Sequence, residues 1–279
     1  MGQPGPALHL RASRGRLRAG QKLRLAGAAP IADDGARVVL ERAPSAAAAL
    51  GAVWRPDATA RVGRQGRFVF RLSPTRSAVY RAVVAVTPVA QLTSSSAPLR
   101  VAVGAHFAVV RRRLDLTGRG RISVTGRLAP SSAGRVVELE RRGRGGWRPV
   151  ARRLTGARGS FALSWRPARL PVRLRLAFAG DRANAGAVAG LGRALMLSPS
   201  VASWYYDGGA TACGFHASLG VANRTLPCGT RVTIRHGPHT VTAVVDDRGP
   251  YVWGRDWDLS ETTAAALGFS GVGVVWVAG

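Results

Sequence analysis

At 279 residues the chain is about two domains long on a prior of roughly 150 residues each. Hydrophobic residues at 46% and charged residues at 20% fit a soluble globular composition and exclude wholesale disorder or an all-helical coiled coil. The net charge of +27 comes from 41 basic residues, of which Lys22 is the only lysine, against 14 acids, and marks a chain drawn to anionic surfaces.

The opening Met1-Gly2-Gln3-Pro4-Gly5-Pro6 has neither the basic nor the apolar region of a signal peptide. The longest uncharged stretches, Ala82 to Leu99 and Thr262 to Gly279, are interrupted by Pro, Gln, Ser and Gly. A membrane span needs about 20 mainly apolar residues, so no transmembrane helix is expected.

The first 185 residues contain a repeat. Trp54-Arg-Pro recurs as Trp147-Arg-Pro, Gly63-x-x-Gly66-x-Phe68 as Gly156-x-x-Gly159-x-Phe161, and Leu72-x-Pro74 as Trp165-x-Pro167, each at an interval of 93. Upstream, Leu23-x-Leu25-x-Gly27 answers Ile122-x-Val124-x-Gly126, and Arg37-Val38-Val39 answers Arg135-Val136-Val137 at an interval of 98. An Ala-rich insertion at 45–51 absorbs the slip.

Within each copy apolar residues alternate with polar ones, as in Phe161, Leu163, Trp165 and then Val172, Leu174, Leu176, Phe178. Period two with Gly/Pro/Ser turns and no helical pattern predicts half-buried strands. The expected architecture is all-β: two tandem immunoglobulin-like β-sandwiches at 1–103 and 104–186, with arginines such as Arg111-Arg112-Arg113 on outward positions and in loops. The Gly/Ala/Ser-rich stretch 187–199 reads as a linker.

Residues 200–279 change character. Five Arg against six acids net −1, leaving +28 for everything before them. Arg231–Arg235 and Thr240–Val245 read as strands joined by the His236-Gly-Pro-His239 turn, and Leu259–Leu267 as a short helix capped by Ser260 or Thr262. The two cysteines, Cys213 and Cys228, lie here; a disulfide would imply an exported protein, and two buried thiols are the alternative reading. His216, His236 and His239 have no partners at metal spacing, so no metal or other cofactor is expected.

The order Ser203-Trp-Tyr, Thr211-Ala-Cys-Gly, Arg224-Thr-Leu-Pro-Cys-Gly, Asp247-Arg-Gly-Pro-Tyr and Asp258-Leu-Ser, followed by an Ala-rich helix, resembles the double-psi β-barrel of the RlpA-like family in its disulfide-bearing actinobacterial form. The resemblance covers 200–279 only. It implies a six-stranded barrel with a groove for a polysaccharide, a Cys213–Cys228 bridge, and lytic transglycosylation of peptidoglycan. Asp247 matches the family's catalytic acid, and Asp258 matches the aspartate that expansin-like relatives use.

Asn223, Tyr205, Tyr206, Arg248, Tyr251 and Trp253 are the candidate substrate-binding residues, the aromatic ones because sugar rings stack on such faces. Adjacent Asp246 points the other way on an extended strand. Asn223 stands where many relatives have His, and Phe215 where others have Glu; Asn cannot relay a proton as His does. That favours an alternative, a non-catalytic expansin-like module that binds or loosens wall polysaccharide.

The expected setting is extracellular or cell-wall associated. The expected partners are peptidoglycan through the barrel and anionic wall polymers through the arginines. No specific nucleic acid is expected, since basic residues alone give only salt-sensitive affinity and no recognition motif accompanies them.

Overall fold

The structure, a computed structural model, describes residues 8–29, 35–51, 53–84, 94–206 and 208–278. It is all-β with two short α-helices among the described residues. Two compact units are present: Met1–Arg112 with Ser123–Ser164 and Arg173–Gly192, and Arg113–Ile122 with Trp165–Val172 and Arg193–Gly279.

The residues before Ser198 form β1 (His9–Ala12), β2 (Arg16–Arg18), β3 (Leu23–Ala28), β4 (Arg37–Ala43), α1 (Ala46–Leu50), β5 (Arg55–Arg61), β6 (Arg67–Leu72), β7 (Ala78–Val84), β8 (Ser94–Ser95) and β9 (Leu99–Gly104). There follow β10 (His106–Arg113), β11 (Ile122–Ala129), β12 (Val136–Gly143), β13 (Gly146–Leu154), β14 (Ser160–Trp165), β15 (Val172–Gly180) and β16 (Ala185–Ala194). Strands β1-β3-β6 and β10-β11-β14 make two three-stranded sheets, and β13-β12-β15-β16-β9-β7-β4-β5 run through a single larger one.

Alternation builds these strands. In β3 Leu23 and Leu25 are buried beneath exposed Arg24, and in β6 Phe68 and Phe70 face inward while Arg67 and Arg71 face out. Those four apolar side chains join Leu40, Tyr80, Val101 and Val103 in one core.

The repeat is visible as duplicated geometry. Glu41 pairs with Arg81 at 2.7 Å, and Arg81 lies 4.3 Å over Trp54; Glu140 pairs with Arg175 at 2.5 Å, and Arg175 lies 4.4 Å over Trp147. β4 and β12 carry the same bulge, at Leu40/Glu41 and Leu139/Glu140. Aligning the bulges matches fully buried Val38 to fully buried Val137, an interval of 99, so the interval of 98 read from Arg-Val-Val is corrected by one. Side-chain direction alternates along a strand, and a one-residue slip exchanges the two faces.

Two further expectations change. The Ala-rich insertion holds a helix, α1, where no helical element was expected, since alanine has the highest helix propensity. Most of 187–199 is strand, with β16 reaching Ala194 and the next strand starting at Ser198. Leu191 and Ala194 are buried there, which the small-residue composition concealed.

The second unit holds a closed barrel: β17 (Ser198–Tyr205), β18 (Gly220–Ala222), β19 (Arg231–His236), β20 (His239–Asp247), β21 (Trp257–Ser260) and β22 (Gly273–Ala278), in the order β17-β21-β18-β20-β19-β22. β17 and β22 pair antiparallel and close it, leaving no open edge. Ala202, Val221, Ile234, Val245, Trp257, Leu259 and Val275 fill its core, joined by Ala264 and Leu267 of α2 (Glu261–Leu267). Ser260 caps α2 by accepting from the Thr263 backbone N–H, as expected. No helix among the described residues is long and apolar enough to cross a membrane.

Candidate functional site in the barrel

Strand register assembles the candidate carboxylates. Ala222 of β18 pairs with Asp247 of β20 on one side and with Asp258 of β21 on the other, and Asp258 pairs onward with Ser203 of β17. Asp247 and Asp258 therefore stand two strands apart, about 10 Å between backbones. A bulge at Val221/Ala222 brings Asp247, rather than Asp246, opposite Ala222.

Asp247 is half-buried. Its Oδ1 accepts from the backbone N–H of Ala212 at 2.8 Å and of Arg248 at 2.8 Å. Its Oδ2 has no hydrogen-bond partner among the described residues. Asp258 accepts from the Ser203 hydroxyl at 2.8 Å, and burial raises its carboxyl above the usual aspartate range. Ser203 and Arg255 oppose that rise, and the charge of Asp247 adds to it.

The disulfide Cys213–Cys228 is formed, with Cα atoms 5.8 Å apart, and ties the segment carrying Ala212 to the turn after Leu226. Arg248 sends Nη1 to the carbonyls of Asn223 (3.0 Å) and Leu226 (2.7 Å), and Nη2 to Cys228 Sγ (3.1 Å). Asn223 closes the same turn: its Oδ1 accepts from the N–H of Thr225 and Leu226, and its Nδ2 donates to the Asp256 carbonyl. Both side chains, expected at the substrate, are engaged in holding the 223–228 turn.

The aromatic candidates are distributed differently. Tyr251 (82% exposed) and Trp253 (98%) stand on the loop that follows Arg248. Exposed Tyr206 packs edge-on against Trp204 at 4.9 Å, and half-buried Tyr205 pairs with Ser260. Trp257 belongs to the core.

Four contributors escaped the sequence reading. Arg224 holds the aromatic loop through the carbonyls of Pro250 (2.6 Å) and Arg255 (2.8 Å). Ser203 and the Ala212 backbone hold the two carboxylates. Asp246 is buried beneath Gly220, accepts from the Ala217 N–H at 2.8 Å, and leaves Oδ1 unpartnered among the described residues. Ser203, Arg224 and Ala212 lie inside the quoted sequence blocks, and that is the signal that would have found them.

Three comparisons bear on these features. A family model described as lytic transglycolase matches residues 199–278. A probable endolytic peptidoglycan transglycosylase RlpA from Synechocystis sp. is 43% identical over 90 residues, covering 28% of this chain and 28% of that protein. The chain thus spans little more than a quarter of that relative's length. A crystal structure of a tetra-tandem repeat in the extending region of a large adhesion protein aligns with 90% of this chain and 66% of its own, at 15% identity and a TM-score of 0.34. The block order, the closed six-stranded topology and the family match together make residues 199–278 an RlpA-like double-psi β-barrel.

Proposed function

We propose that the barrel binds peptidoglycan glycan strands and cleaves them by lytic transglycosylation, with Asp247 as general acid and then general base. The observation that carries this reading is the pair of carboxylates flanking Ala222, with Asp247 Oδ2 unpartnered among the described residues. One carboxylic acid suffices for the chemistry. Asp247 gives its proton to the glycosidic oxygen as the C–O bond breaks; the sugar's own 6-hydroxyl then closes on the anomeric carbon and returns a proton to Asp247. No water is consumed, and the product is an anhydro sugar.

Asp258 borders the same position, held toward its protonated form by burial and oriented by Ser203. Tyr206, Tyr251 and Trp253 offer exposed ring faces to sugar units. The strands before the barrel are read as two immunoglobulin-like sandwich modules, 1–103 and 104–186, that adhere to anionic wall polymers, and the whole as a cell-wall or extracellular protein.

A second reading, a module that binds glycan without turnover, is favoured by Asn223. The position carries an amide engaged in its own turn, with no group able to relay a proton.

Mass spectrometry of the soluble products released from peptidoglycan by the chain and by its Asp247→Asn variant separates the two. Anhydro-muropeptides from the unmodified chain alone support cleavage. Retained binding without products supports the second reading.

A further inference from the structure

We propose that the first unit carries a cleft for a flexible, non-nucleoside phosphodiester chain, built by Arg42, Arg55, Arg76 and Arg182. This narrows the reading of the arginine-rich strands as the adhesive part of the molecule, and it is independent of whether the barrel cleaves anything.

The cleft has a volume of about 730 Å3, and Pro44 and Val53 complete its walls. That lies within the roughly 300–1,000 Å3 of ligand sites and exceeds what a lone oxyanion fills. Pro44 and Val53 flank the Ala-rich insertion at 45–51, which makes the connection between β4 and β5, residues 44–54, far longer than that between β12 and β13, residues 144 and 145. The first copy therefore has a cleft at a place where the second has a tight hairpin.

Three of the four guanidinium charges there are uncompensated among the described residues, Arg42 being paired with Asp57. Among the described residues, Asp57 pairs with Arg42 (3.2 Å), Glu41 with Arg81 (2.7 Å) and Asp181 with Arg135 (2.9 Å), so none of these acids offsets Arg55, Arg76 or Arg182. Arg55, Arg76 and Arg182 have no carboxylate partner among the described residues. Arg42 and Arg55 are also direct cross-strand neighbours, an arrangement of like charges that opposes folding. The hydroxyls do not relieve this. Ser45 Oγ accepts from the Ala48 N–H, and Ser77 Oγ from the Val103 N–H, so both serve the fold.

Guanidinium groups are weakly hydrated forks that match phosphate oxygens, and several converging on one cleft suit several phosphates on one chain. Among the described residues no aromatic side chain lines the cleft, so the lining they form lacks the stacking platform that single-stranded nucleic acid sites use.

The test is calorimetric titration of the full chain with a poly(glycerol phosphate) of about ten units at physiological salt. The variant R55Q/R76Q/R182Q should lose at least tenfold in affinity. The control R141Q/R144Q/R148Q removes the same charge from the second hairpin and should lose less than threefold. Melting temperatures of the two variants report folding, and the two should melt alike because each relieves one like-charged cross-strand pair, Arg42–Arg55 or Arg141–Arg148.

Equal losses in both variants would overturn the cleft in favour of diffuse attraction. Cleft-dependent binding of polyglutamate at equal affinity would overturn phosphate as the ligand class, and tighter cleft-dependent binding of an oligothymidylate would overturn the non-nucleoside assignment. Muropeptide release by the cleft variant is read separately, so failure of the barrel's proposed activity cannot be mistaken for failure here.

Discussion

Asp247 and Asp258 flank one residue, Ala222, from two different strands, one paired parallel and the other antiparallel. Each is held by separate groups: Asp247 by the backbone N–H of Ala212, beside the disulfide, and of Arg248, and Asp258 by the Ser203 hydroxyl of β17. Their charges interact, and the ionised form of Asp247 is one cause of the raised Asp258 carboxyl.

Removing that charge should be measurable. In Asp247→Asn the Asp258 carboxyl should titrate lower than in the unmodified protein, followed by NMR of the side-chain carboxyl. Burial, the larger cause, persists, so the rise should shrink rather than vanish. An unmoved Asp258 titration would mean the two groups work as separate sites, and Asp258 would then serve only as an anchor for β17.

Asp246 gives a pH-dependent stability prediction. Burial raises its carboxyl first, the backbone N–H bonds from Ala217 and its own residue oppose the rise, and Asp247 adds to it. With the folded value above the unfolded one, the folded state holds more protons than the unfolded state between the two. Stability from this group is then complete below the unfolded value near 3.9 and is lost as pH rises through the folded one. Asp246→Asn removes that loss. The melting temperature of the variant relative to the unmodified chain should therefore increase from pH 4 to pH 7, and a difference independent of pH would refute the argument.

The repeat predicts matching penalties in its two copies. Gly66 and Gly159 adopt φ of +71° and +70°, and a Cβ added at either would stand 2.2 or 2.3 Å from the carbonyl oxygen of Ala29 or Leu128. Gly66→Ala and Gly159→Ala combine a left-handed backbone with a contact to rigid main chain. Each should cost more than about 2 kcal/mol in urea unfolding. A cost below about 1 kcal/mol in either would show that the turn can shift.

How much of this could be read from the sequence depended on the kind of signal. Alternation in Leu23-Arg-Leu25 and Phe68-Val-Phe70 exposed the strands, because burial of one face leaves a period of two. The Glu–Arg–Trp clusters were half legible: the tryptophans marked the repeat, but nothing local joins Glu41 to Arg81, 40 residues on. At the candidate site the blocks pointed to Asp247 and Asp258, and the strand register sets the two on either side of Ala222. They did not say that Arg248 and Asn223 turn inward, because that depends on where the disulfide loop and the 223–226 turn come to rest. Ala212 was illegible for a simpler reason, contributing only a backbone N–H that any residue has.

The disulfide links stability to the site. A bridge closing about 15 residues contributes roughly 3 kcal/mol on the loop-entropy model. For a domain near 80 residues, at about 4–8 °C per kcal/mol, reduction should lower the barrel's melting temperature by about 12–24 °C. Calorimetry with and without reductant measures it, and thiol titration of the unreduced chain should find no free cysteine. The bridge also fixes the segment whose Ala212 N–H holds Asp247, and Cys228 Sγ accepts from Arg248. Any glycan cleavage should then fall on reduction at temperatures where the barrel is still folded. Cleavage that survived reduction would mean that the Arg248 N–H, acting alone, keeps Asp247 in position.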